Sequence, residues 1–143
     1  MQQTTLKILP ILVLVGLASL FLAACGAPPV DSVYTAAGDG TKPADLTKTS
    51  VFKADDDLNI VVKLNAHNHE LAIHAVFTAP SGETYITDDL EAGETVGEIV
   101  LGLDWEAQGG TLWAEGEWSV AVFVDEDEKE TATFRVETST TSG

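Results

Sequence analysis

All three histidines of the chain fall within one short stretch, as His67-Asn68-His69 and His74. Two imidazoles at i and i+2 project from the same side of a strand, and a third, with a carboxylate such as Glu70, would make a donor set for zinc or copper. The competing reading is that Asn68 takes a positive-φ turn position, its flanking histidines are solvated, and His74 alternates outward beside Ile73. Trp105 and Trp113 flank Gly109-Gly110 in the longest predicted loop. Exposed together, they would form an aromatic patch ringed by Asp104, Glu106 and Glu115, suited to a protein or carbohydrate surface. Folded back, they would close the end of the domain. Trp118 opens an alternating segment and is assigned to the core.

The acidic runs Asp55-Asp56-Asp57, Asp88-Asp89 and Asp125-Glu126-Asp127-Glu128 all fall in predicted turns. Loops at one end of a domain can pool carboxylates for calcium, but no Asp-x-Asp-x-Asp-Gly pattern is present, and charged turns also keep sheet edges soluble. No serine stands in a nucleophile-elbow setting, and no histidine is paired in sequence with a recognisable nucleophile motif. A domain of about 90 residues rarely provides both a core and a deep cleft. The chain is therefore read as non-enzymatic, with no catalytic residues.

The 143 residues carry 23 acidic and 7 basic side chains, a net charge of −16, and 45% are apolar. These averages mix two unlike parts. The first 24 residues hold one base, Lys7, and no acid, so the 119 that follow carry a net −17. Such a field repels phosphate backbones, which excludes nucleic acid as a partner.

After Lys7 an apolar run extends from Ile8 to Leu22, interrupted by Pro10 and Gly16. It is short for a spanning helix, which needs roughly 20 apolar residues, and fits a secretory signal better. The run ends in Leu22-Ala23-Ala24-Cys25-Gly26, which resembles the lipobox of bacterial lipoproteins. The resemblance implies cleavage after residue 24 and lipidation of Cys25, with a covalent diacylglycerol and an N-acyl chain and no other cofactor. Two or more chains give the stable anchoring that one does not. Cys25 is the only cysteine, so its acylation leaves no thiol for a disulfide or a metal. The implied location is the outer face of the cytoplasmic membrane or the outer membrane. Gly26, where an inner-membrane retention signal would have Asp, favours the outer membrane in a two-membrane cell.

Residues 25–50 are rich in Pro, Gly, Ala, Thr and Asp and are expected to form a flexible linker a few nanometres long at most, with a possible edge strand over 32–36. From Val51 the apolar period becomes two. Leu58, Ile60, Val62 and Leu64 share one face; so do Leu71, Ile73, Ala75 and Phe77. The same alternation recurs in Ile99, Leu101 and Leu103, in Trp118, Val120, Val122 and Val124, and in Ala132, Phe134 and Val136. Ala79-Pro80-Ser81-Gly82-Glu83 predicts a hairpin turn.

The pattern predicts an all-β, antiparallel sandwich of about seven strands over 51–137, with a disordered tail at 138–143. Gly116-Glu117-Trp118-Ser119-Val120-Ala121-Val122, followed by Thr133-Phe134-Arg135-Val136, resembles the last two strands of bacterial immunoglobulin-like or fibronectin-like surface modules. Together the two resemblances imply a lipid-anchored envelope protein with a non-catalytic binding or adhesion module. It would contact another envelope protein or an extracellular polymer, with Trp105 and Trp113 as contact residues. The alternatives are a zinc- or copper-binding surface lipoprotein using His67, His69 and His74, and a structural envelope spacer.

Overall fold

A computed structural model describes residues 27–138. The expected signal peptide (1–24), the expected lipidation at Cys25 and the tail from residue 139 lie outside the described residues. The described residues form ten strands: β1 (Val30–Ala37), β2 (Thr47–Lys48), β3 (Val51–Lys53), β4 (Leu58–Leu64), β5 (Leu71–Thr78), β6 (Thr84–Ile86), β7 (Leu90–Ala92), β8 (Glu98–Leu103), β9 (Gly116–Val124) and β10 (Asp127–Glu137). One 3-10 turn, Pro43–Asp45, joins β1 to β2.

The strands form two sheets. The first has the order β2-β1-β4-β8 and the second β3-β10-β9-β5-β6, with β7 also paired to β5. All pairings are antiparallel except β3 with β10, which is parallel. The N-terminal part of the chain is thus shared between the sheets: β1 runs beside β4, and β3 crosses over to lie beside β10. This is the immunoglobulin-like sandwich.

The alternation expected for β4, β5 and β9 is present because each has one face on the core. Leu58, Ile60, Leu71, Ile73, Phe77, Trp118, Val120 and Val122 are all essentially inaccessible to solvent. Val61 breaks the pattern, since it is buried on the outer face of the first sheet. There it pairs with Tyr34 and Val100. Lys48 and Lys63 place their ammonium groups 5.3 and 5.9 Å from the Tyr34 ring centre, so their aliphatic stems lie over this face.

Two sequence expectations are corrected. Residues 30–37 are not linker, and β1 is not an edge strand: it pairs with β4 from Val30 to Ala36 and carries β2 on its other side. Val30 and Ala36 are buried, so the sandwich begins at Val30 rather than Val51. The acidic stretch 127–130 is likewise not turn but the start of β10. The β9–β10 connection consists of Asp125 and Glu126 alone, with φ of 49° and 73°. Two successive positive-φ residues make the tight hairpin turn whose twist matches that of its strands.

Candidate functional site

The two loop tryptophans are not an exposed patch. Trp113 is only 5% exposed. Its indole N–H donates to the Asp56 carbonyl at 2.7 Å, and its backbone N–H to the Ala54 carbonyl at 2.8 Å. Trp105 is partly buried against the core, with its ring beside Gly110 and its indole N–H on the Thr111 carbonyl. Its backbone N–H donates to the Asp57 carboxylate at 2.8 Å. Burial raises the Asp57 pKa, the Trp105 hydrogen bond opposes that, and Asp104, Asp39 and Asp56 add to the rise. The loop therefore folds back over the end of the sandwich, and its acids organise loop backbone.

Nor do the histidines converge. His74, on β5, lies 3.1 Å from an Asp89 oxygen and stacks on Phe123 with ring centres 5.0 Å apart. His69 lies 3.6 Å from Asp125 and contacts the Asn68 side chain. His67 is turned to two backbone carbonyls, Nδ1 to Asn65 at 2.9 Å and Nε2 to Gly93 at 2.7 Å. Among the described residues no group of three or more His, Cys, Asp or Glu is placed to hold a metal. The sequence spacing brought His67 and His69 to one loop, but the loop gives each imidazole its own partner.

The two contacts of His67 set its protonation. A carbonyl accepts only from an N–H, so both are satisfied only when both ring nitrogens are protonated. The bond to Asn65 raises the His67 pKa above its ordinary 6.5. Burial opposes this, and the Gly93 and Ala92 carbonyls and the Glu94 charge add to the rise. Because the folded pKa exceeds the unfolded one, the stabilisation is fully present below about pH 6.5 and is lost as pH rises through the folded value. Urea midpoints of the wild type and His67→Gln, measured across that range, are expected to converge as pH rises. A constant gap between them would refute a charged His67 bridging the β4–β5 loop to the segment after β7.

The feature that sequence reasoning missed is the outer face of the second sheet. Strand register aligns Thr133, Ser119, Thr78 and Thr84 in one row across β10, β9, β5 and β6, and Thr131, Ala121, Val76 and Ile86 in the next. Neither row contains a charge, although 21% of the chain is charged. Arg135 opposite Glu117 borders one side, and Glu128 beside the Phe123–His74 stack borders the other. Ile86, 67% exposed, is the most exposed large apolar side chain among the described residues. An uncharged centre with a charged rim is the composition of a protein-contact surface. Single-strand alternation marks these residues as outward-facing, but only the register shows that they adjoin.

No protein-family model matches the chain, and no curated protein matches it. Among solved structures, the chain is similar to an immunoglobulin-like protein from Pseudomonas aeruginosa, at 13% identity over 80% of this chain and 99% of that one, with a TM-score of 0.42. It is also similar to the CARDB domain of a Pyrococcus furiosus protein in complex with di-metal ions, at 17% identity over 79% and 94%, with a TM-score of 0.43. A third, a protein from Bacillus anthracis named as a lipoprotein, is 15% identical over 78% and 76%, with a TM-score of 0.38. Likenesses this distant carry nothing about function.

Proposed function

We propose that this chain is a lipid-anchored envelope protein whose immunoglobulin-like sandwich binds another envelope protein, without catalysis, through the outer face of its second sheet. The observation that carries the reading is the pair of uncharged rows across β10, β9, β5 and β6 in a chain of net charge −16. A partner can cover these rows without burying an unpaired charge. A protein suits the face better than a polysaccharide. The aromatic of this face, Phe123, is half-covered and already stacked on His74, and the loop tryptophans that would have served a sugar are turned inward. The lipid anchor is supported by Leu22-Ala23-Ala24-Cys25 at the end of the apolar run.

Photo-crosslinkers placed in cells at Thr133, on this face, and at Ser32, on the outer side of the first sheet, test the proposal. Thr133 is expected to give a discrete protein adduct and Ser32 none. Ala121→Glu, which puts an unpaired charge in the middle of the face, is expected to reduce the adduct at least about tenfold without loss of fold. Equal adducts from both positions, no adduct, an adduct to glycan only, or indifference to Ala121→Glu would each defeat it.

A further inference from the structure

The chain enters the sandwich almost directly after Cys25. The Asn65 side-chain amide donates to the Pro28 carbonyl at 2.7 Å, and the Asn65 backbone N–H donates to the Pro29 carbonyl at 3.0 Å. Val30, the next residue, is 2% exposed. Pro28 is therefore fixed to the folded body, and only three residue steps separate it from Cys25, a reach of about 10 Å at full extension.

The strands define two ends. β1 runs away from Pro29 to Ala37, so the antiparallel register puts the end of β4, the start of β5 and the β9–β10 turn at the Pro28 end. The Asp104–Glu115 loop with Trp105 and Trp113, and the end of β10, lie at the opposite end. Eight residues of strand place the two ends about 27 Å apart before loops are added.

We infer that the partner of the Pro28 end is the lipid surface that carries the anchor. The loop of His67, Asn68 and His69 and the Asp125-Glu126 turn face the headgroups, and the tryptophan end points away. This rests on the reading of Cys25 as lipidated. The short attachment limits how far the sandwich can rise. With an attachment of about 10 Å against about 27 Å between the two ends, the Pro28 end is held beside the headgroups and the tryptophan end is not.

Lipidation consumes the only cysteine, so one introduced thiol can be labelled uniquely in the full lipidated protein. Bimane is attached at Asn68→Cys or at Gln108→Cys, both exposed positions. The protein is inserted into phosphatidylcholine–phosphatidylglycerol vesicles containing a headgroup nitroxide lipid. Quenching at position 68 is expected to exceed that at 108 at least about fivefold, given the separation of the ends. Asn65→Ala, which releases Pro28, is expected to narrow the contrast. Palmitate labelling lost in Cys25→Ser is measured in parallel. If the wild type takes up no lipid, the anchor reading itself falls. If it is lipidated and the two positions quench equally, or 108 quenches more, the end-on assignment is wrong.

Discussion

Replacing Trp118 with alanine is expected to cost about 3–5 kcal/mol of folding stability, the range for removing a large buried aromatic. Trp118 is 1% exposed, and its indole N–H donates to the Ala114 carbonyl at 2.8 Å. Its ring lies 5.8 Å from those of Tyr85 and Trp113 and 5.9 Å from that of Phe134, which in turn meets Phe52 at 5.0 Å and Phe77 at 6.1 Å. One ring therefore joins side chains from β6, β9, β10 and the loop before β9, with β3 and β5 reached through Phe134. Alanine would leave a cavity that these rigid neighbours cannot close. Urea denaturation of the soluble fragment from Ala27 onward measures the loss. Trp105→Ala, at a partly exposed ring held against Gly110, is expected to cost less than half as much. Equal losses would mean that the aromatic cluster is not the centre of the core.

The strands most legible in the sequence are those with one face on the core and one in solvent. Leu58 to Leu64, Leu71 to Phe77 and Trp118 to Val124 show period two because the sandwich imposes it. β1 was legible only as a possible edge strand over 32–36, because of its own irregularity. Its register shifts between Val30 and Ser32, leaving Asp31 as an extra residue, and its buried Ala36 and Thr35 are too small or too polar to stand out. The start of β10 was hidden for the opposite reason: all four residues from Asp127 to Glu130 are exposed, so nothing apolar marks them as strand. β7 contributes one buried side chain, Ala92, within an acidic stretch.

The candidate site was less legible than the fold, because it depends on which residues adjoin across strands. Ile86 and Thr131 stand at the two ends of one row yet are 45 positions apart in sequence. For the same reason the sequence left Trp113 between an exposed patch and a folded-back lid. Gly109-Gly110 nearby suggested an exposed loop, but the partner that holds the indole inside is the Asp56 carbonyl, 57 positions away. The histidines show the limit of short spacing as evidence: His67 and His69 share a loop, and backbone carbonyls take up one while carboxylate and amide oxygens take up the other.

A chain beginning at Val51, the boundary that the apolar period suggests, is expected to show no cooperative unfolding transition, whereas one beginning at Ala27 unfolds in a single step. β2 pairs only with β1, so removing residues 27–50 leaves the first sheet with β4 and β8 alone. A two-stranded sheet is marginal in water. β4 would also expose the backbone donors and acceptors now paired from Val30 to Ala36, next to the apolar side chains of Ile60 and Val62 that the sandwich needs covered. That is an open, hydrophobic strand edge, the template on which chains aggregate. The Thr35 hydroxyl, which donates to the Thr49 carbonyl and fixes the path from β1 toward β3, would be lost as well. Near-ultraviolet circular dichroism and urea titration of the two chains distinguish the outcomes. A sharp transition from the Val51 chain, at a midpoint near that of the longer one, would mean that β1 is an accessory to the sandwich rather than one of its central strands.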